Sequence, residues 1–428
     1  MAATLALDLS APDVAQEGVG SLAFHLVGSE ILRIAGEVRA MREKGAPICD
    51  LTVGDFSPLQ FRIPQALEEA VCRAYAAGET NYPPSDGIPA LRKAVAAFYE
   101  RRLGLPYPID GIGIASGARP VLWSSYQAVV EPGDTVVYPI PSWNNNHYCH
   151  LTGARGVAVP TTPEAGFLPT AADLEPHLKG ARLLVLNSPL NPAGTGFHRD
   201  ALGEISERVV AENRRRGASE RPLFLLFDQI YWLLAAASAP HFTPVDLVPE
   251  IGRYTIFVDG ISKAFAATGL RVGWAVGPPY LMSRMRDLIG HIGAWAPRPE
   301  QVATAEIFAD PDAVEPLVEP IRSGALARLE ALYAGLSALG GEGYPVRALP
   351  PAGAIYLSAK FDLLDRFGTD AEIRRFLLEK SGLAVVPFRA FGYPHDSGWF
   401  RLSVGAVSIA AIEEAMPRLQ AALAGLGK

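Results

Sequence analysis

Cysteine is scarce in this 428-residue chain: Cys49, Cys72 and Cys149 are the only three, widely spaced and forming no CxxC. That excludes a disulfide framework and any zinc-ligand spacing, and it fits a reducing cytosol. Lysine is also sparse, with seven residues, and 38 Lys+Arg against 45 Asp+Glu leave a formal net charge of −7. Nucleic-acid and anionic-membrane surfaces need clustered cations, so neither partner is expected. The short basic run Arg214-Arg215-Arg216 lies beside Glu212 and Glu220 and reads as a solvated helix end. No stretch of about 18 consecutive apolar residues occurs, and the start of the chain lacks the basic and apolar regions of a secretory leader. A cytoplasmic protein without a membrane segment is the expectation. No GxGxxG opens a helix, which removes support for a dinucleotide-binding fold.

Apolar material is plentiful, at 49% hydrophobic against 19% charged residues. Single cores stop growing at about 250–300 residues, so two domains are expected. Short apolar runs, Thr135-Val136-Val137-Tyr138, Leu183-Leu184-Val185-Leu186, Leu223 to Phe227 and Thr255-Ile256-Phe257-Val258, read as strands buried on both faces. Helical patterns separate them, such as Ala201 to Asn213 with Leu202, Ile205, Val209 and Val210 on one face. The combination predicts a three-layer α/β/α unit with a mostly parallel sheet. After about residue 320 the pattern changes to a long helix, Ile321 to Leu339, and short strands at Ala354-Ile355-Tyr356-Leu357, Ala384-Val385-Val386 and Trp399 to Ser403. These predict a smaller α+β domain. The expected division is a flexible N-terminal arm over 1–20, the N-terminal part of the small domain over 21–64, the large domain over 65–320, and the C-terminal small domain over 321–428.

In open α/β sheets ligands sit beyond the carboxyl ends of the strands. Asn187 and Asn191 follow one run, Asp228 ends the next, and Lys263 follows the third. Lys263 stands in Val258-Asp259-Gly260-Ile261-Ser262-Lys263-Ala264-Phe265, among small and apolar neighbours. Desolvation there lowers an ammonium pKa, and the neutral amine is a nucleophile toward carbonyls. Eight residues on, Arg271 supplies a planar cation suited to a phosphate. An aldehyde for the amine and a phosphate for the guanidinium are combined in pyridoxal 5'-phosphate.

A lone Ser-Lys pair after a strand is common and carries no assignment. The longer pattern Ser262-Lys263, Thr268-Gly269, Arg271-Val272-Gly273-Trp274 resembles the lysine signature of class I/II aminotransferases of fold type I. Further stretches, from about Gly54 to Arg401, follow that family's order. The resemblance implies the two-domain fold of the aspartate-aminotransferase type, with pyridoxal phosphate joined to Lys263 as a Schiff base. It implies Asp228 as the partner of the pyridinium nitrogen and Tyr231 and Asn191 as donors to the phenolic oxygen. Gly117, Ala118 and Arg119 would form the phosphate cup, closed by Ser262 and Arg271, and Trp143 would stack on the ring. Tyr82 would reach the phosphate of a neighbouring subunit, which makes a homodimer the expected assembly. Arg401 would clamp the α-carboxylate of an amino acid or 2-oxo acid, with Gly54 letting backbone approach the substrate.

Three positions depart from the pattern: Gln229 stands where Glu is common, Ala193 replaces a threonine, and Gly260 replaces a Ser or Thr. A dicarboxylic donor such as aspartate or glutamate would want a second cation, for which Arg298 is the candidate and Arg62 and His147 weaker ones. The alternative for Arg298 is a loop salt bridge, for example with Glu300. The same cofactor geometry also serves lyases and decarboxylases. A non-catalytic regulator would need a DNA-binding region, which the short N-terminal arm cannot supply.

Overall fold

The computed structural model describes residues 18–28 and 30–426, apart from the side chain of Leu32. The expected arm over 1–20 thus falls almost wholly outside the described residues. In chain order the strands are β1 (Cys49–Asp50), β2 (Ile112–Ala115), β3 (Thr135–Ile140), β4 (Arg155–Pro160), β5 (Ala181–Asn187), β6 (Phe224–Asp228), β7 (Thr255–Gly260) and β8 (Gly273–Val276). There follow β9 (Val346–Ala348), β10 (Tyr356–Phe361), β11 (Leu383–Ala384), β12 (Val386–Pro387) and β13 (Trp399–Ser403).

Seven of them form one sheet in the order β2-β8-β7-β6-β5-β3-β4, in which β8 alone runs against its neighbours. Its central strands show no polar alternation because both faces are covered. Leu183, Val185, Phe224, Leu226, Ile256 and Val258 pack in one core with Val121 and Leu122 of the helix Ala118–Val129. The residues between them, Leu184, Leu186, Leu225, Phe227 and Phe257, pack in the other with Leu202, Ile205 and Val209 of the helix Arg199–Arg216. Each such side chain contributes about 1.5–3 kcal/mol by leaving water. This is the α/β/α layering that the sequence predicts.

The second sheet, β12-β13-β10-β9, is antiparallel, and β1 pairs in parallel with β11. Cys49 therefore lies opposite Leu383, which ties the N-terminal segment to the C-terminal one. Several expected boundaries move. β10 starts at Tyr356 because Gly353 and Ala354 take positive φ of 151° and 61°, a turn rather than a strand. The expected strand over Ala384–Val386 divides, its first part serving β1 and its second β13. The long helix spans Val314–Gly341.

The basic helix end is not uniformly solvated. Arg216 is 3% exposed and donates to the carbonyl oxygens of Leu178 and Arg221 as well as to Glu212. A guanidinium carries five donors, enough to close a helix end and a loop together. Among the described residues no helix is long and apolar enough to cross a membrane.

Candidate active site

β5, β6 and β7 deliver polar groups to one edge of the large sheet. Asn187 and Asp228 are the last residues of β5 and β6 and lie in register. β7 ends at Gly260, and the one-turn helix Ile261–Ala264 that follows carries Ser262 and Lys263. A Cβ on Gly260 would stand 2.7 Å from the carbonyl oxygen of Val272 and 2.8 Å from Cα of Gly273. Close backbone approach of β8 thus explains the missing Ser or Thr at this position.

The Lys263 amine donates to the carbonyl oxygen of Gly54 at 2.8 Å. Burial pushes its pKa down to about 8, helped by the positive charges of Arg401, Arg119 and Arg271 and opposed by Asp55. Asp55 in turn accepts from the Thr268 hydroxyl at 2.6 Å, so the Gly54 loop and the lysine loop are joined twice.

At the same sheet edge Leu122, Trp143, Asn187, Leu190 and Asp228 wall a narrow slot, and the Lys263 charge acts on the Asp228 carboxyl. Burial raises the Asp228 pKa to about 6, against the pull of the Ile230 N–H and the Lys263 charge. Asn187 donates to the Asp228 carbonyl oxygen at 2.8 Å and accepts the Asn191 N–H at 2.7 Å, which fixes the Pro-rich turn to the neighbouring strand. The Tyr231 hydroxyl lies 2.7 Å from that of Tyr356, and the Lys263 amine is 5.8 Å from the Tyr231 ring centre.

An anion cup forms where β2 turns into the helix Ala118–Val129. The N-cap, Gly117, has φ 85° and no side-chain cap, so the first N–H groups remain free for a ligand. Arg271 arches over this turn, donating to the carbonyl oxygens of Ser116 at 3.0 Å and Thr268 at 2.6 Å. A Cβ on Gly117 would lie 2.3 Å from Arg271 Nη2, so both the φ and the space call for glycine. Ser262 is buried at the mouth of the lysine turn. Arg119 lies 4.8 Å from the Trp143 ring centre and makes no hydrogen bond or ion pair among the described residues.

Arg401, at the centre of β13, is 1% exposed. Its guanidinium carbon lies 4.7 Å from the Tyr356 ring centre and 4.8 Å from that of Phe391. Nη2 donates to the carbonyl oxygen of Thr52 at 2.7 Å, Nη1 to Asn191 at 3.3 Å, and Nε is buried without a hydrogen-bond partner among the described residues. A buried cation with an unused donor suits an incoming carboxylate. Gly54 lies against it, since a Cβ there would come 3.4 Å from Arg401 Nη1.

Two expected residues stand apart within one protomer. Tyr82 is 82% exposed and packs edge-on against Trp295 at 5.4 Å. Arg298 pairs with Glu79 at 2.5 Å rather than with Glu300, whose carboxylate accepts from Tyr75 at 3.0 Å. Arg298 and Glu79 border a cavity of about 530 Å³ that includes none of the residues around Lys263. Of the weaker candidates, Arg62 is engaged with Glu68 on the surface, and burial lowers the His147 pKa. Sequence reasoning missed Tyr356, Phe391 and Thr52. A tyrosine inside an apolar strand reads as core, and a backbone carbonyl leaves no mark in the sequence.

Such a cleft can join a lysine amine to a carbonyl while a buried guanidinium grips a carboxylate. That defines an enzyme acting on amino acids through a carbonyl-bearing cofactor. Residues 46–419 match the family described as aminotransferase class I and II. The aspartate aminotransferase of Bacillus sp. (strain YM-2) is 30% identical over 92% of this chain and 96% of its own length. A probable aspartate/prephenate aminotransferase of Thermus aquaticus is 33% identical over 84% of this chain and 90% of its own. The solved aspartate aminotransferase from Thermus thermophilus with maleate superposes with a TM-score of 0.85 at 29% identity, covering 95% of this chain and all of that one. The chain belongs to the class I and II aminotransferases and is a pyridoxal-phosphate-dependent aminotransferase of fold type I.

Proposed function

We propose that this enzyme moves the amino group of a dicarboxylic L-amino acid, aspartate or glutamate, to a 2-oxo acid in two half-reactions at one site. The carrying observation is the buried Lys263 amine, held by the Gly54 carbonyl and close enough to Asp228 and Arg401 for their charges to act on one another, with an Arg401 Nε that has no partner among the described residues. Pyridoxal phosphate, when bound, supplies an aldehyde that takes the amino group and a ring that holds the electron pair released at Cα. The residues present fit that group: the uncapped turn at Gly117, with Ala118, Arg119, Ser262 and Arg271, would take the phosphate. Trp143 would cover the ring and Asp228 would hold a proton on its nitrogen. Tyr231 and Asn191 would donate to its oxygen.

Arg401 binds the α-carboxylate and so turns Cα toward Lys263. The neutral Lys263 amine takes the proton from Cα and later returns one, as general base and then acid. For the second carboxylate there are two candidates: Arg119, which makes no hydrogen bond or ion pair among the described residues and would divide its donors between this group and the phosphate, and Arg298, which would have to leave Glu79. Aspartate, prephenate and maleate, named with the relatives, each carry two carboxylates.

The same reading makes the enzyme a homodimer, in which exposed Tyr82 meets the phosphate of the other copy, and places it in the cytoplasm with its three free cysteines. It treats 65–320 as the large domain, with 21–64 and 321–428 forming the small one around the β1–β11 pair. The test is to mix the cofactor-loaded enzyme with a panel of amino acids and follow its visible absorbance. Aspartate or glutamate should bleach the band and a 2-oxo acid should restore it. Release of ammonia with pyruvate would indicate a lyase instead.

A further inference from the structure

Tyr356 touches three parts of the site without belonging to any of them. It comes from β10 in the antiparallel sheet, whereas Asp228 ends β6 of the large sheet and Lys263 lies on the one-turn helix that follows β7. Its hydroxyl is 2.7 Å from that of Tyr231. Its ring lies 4.7 Å from the guanidinium carbon of Arg401. A Cβ on Gly54, the residue whose carbonyl holds the Lys263 amine, would stand 3.0 Å from the same hydroxyl. The residue is 1% exposed, so these contacts lie away from bulk solvent.

We infer that Tyr356 is a positioning residue that sets the direction of the Tyr231 hydroxyl proton and couples it to the carboxylate clamp at Arg401. This rests on the aminotransferase reading above. A phenol has one proton to give. If Tyr231 gives its proton to Tyr356, it has none for an acceptor in the slot; if Tyr356 is the donor, the Tyr231 proton points there. The guanidinium over the Tyr356 ring favours the second order, because a nearby cation makes that phenol the stronger acid and the better donor. A carboxylate docking on Arg401 neutralises part of that charge, so substrate arrival reaches Tyr231 through Tyr356.

Two variants separate the hydroxyl from the ring. Tyr356→Phe keeps the ring under Arg401 and removes only the donor, whereas Tyr356→Leu removes both. Each is loaded with pyridoxal phosphate, and the visible absorbance is titrated with pH in the absence of substrate before steady-state kinetics. For Tyr356→Phe the titration midpoint should rise by about half a pH unit or more and kcat should fall about 5–10-fold, with KM for the amino donor within about twofold. For Tyr356→Leu, KM should also rise about tenfold or more. Tyr356→Phe alone decides the matter if the leucine variant does not fold. A wild-type midpoint and wild-type kcat in Tyr356→Phe, a downward shift, or a KM raised as far as in Tyr356→Leu would overturn the inference. If the wild-type enzyme itself shows no pH-dependent band, the reading of the site fails instead.

Discussion

The Lys263 amine and the Gly54 carbonyl oxygen, 209 residues apart in sequence, are hydrogen-bonded at 2.8 Å. One member sits on the turn after β7 and the other in the loop that leads from β1. The acceptor is a neutral carbonyl, so the bond places the amine without supplying the charge that would keep it protonated.

That arrangement predicts the pH dependence of cofactor loading. Burial lowers the Lys263 pKa from 10.5 to about 8, so the charged amine prevails below that pH and the neutral nucleophile above it. The neutral fraction rises from about one tenth at pH 7 to about nine tenths at pH 9. The rate at which cofactor-free enzyme takes up pyridoxal phosphate should rise about tenfold across that interval, followed by stopped-flow absorbance. A rate still climbing steeply between pH 9 and 10.5 would mean an ordinary lysine. Lys263→Ala should abolish both the band and turnover.

Arg401→Lys is not a conservative change here. The guanidinium is sandwiched between Tyr356 and Phe391 and donates in two directions, which an ammonium cannot reproduce. We expect kcat/KM for the amino donor to fall about 10²–10³-fold, with the affinity for pyridoxal phosphate within about threefold of wild type. Equal losses in both would show that Arg401 supports the fold and not the substrate.

Gly117→Ala tests the anion cup. The added methyl would lie 2.3 Å from Arg271 Nη2 at a φ of 85°. Displacing that guanidinium should weaken pyridoxal phosphate binding about tenfold or more, while pyridoxal without its phosphate should bind about as before. Equal weakening of both ligands would place the phosphate elsewhere.

Arg119 and Arg298 make different predictions about donor choice. Arg119→Gln should lower kcat/KM for aspartate about tenfold or more relative to alanine. Arg298→Gln, which breaks an ion pair with Glu79, should change that ratio little if Arg119 is the second cation. The opposite result would return the role to Arg298, acting from a neighbouring copy.

The sequence carries the layered sheet and the order of its chemical groups because a strand buried on both faces leaves an unbroken apolar run, as in Leu183 to Leu186, and its end is marked by the next polar residue. Lys263, Asp228 and Arg401 were legible for that reason and through the family pattern. Tyr356 was not, since its sequence neighbours Ile355 and Leu357 are apolar and only the meeting of two sheets brings it to Tyr231. The Arg298 contact was equally out of reach: a cation names no partner, and Glu79 lies 219 residues away in sequence. Gly260 looked like a lost hydroxyl until the approach of Val272 and Gly273 showed that no side chain fits there.

The most direct test of amino-group transfer is isotopic. Purified enzyme loaded with pyridoxal phosphate would be given ¹⁵N-labelled aspartate and unlabelled 2-oxoglutarate, and the nitrogen traced by mass spectrometry. The account predicts that the label appears in glutamate in step with oxaloacetate formation, and that Lys263→Ala gives none. Label recovered as ammonium, or loss of carbon dioxide from aspartate with the label retained, would contradict it.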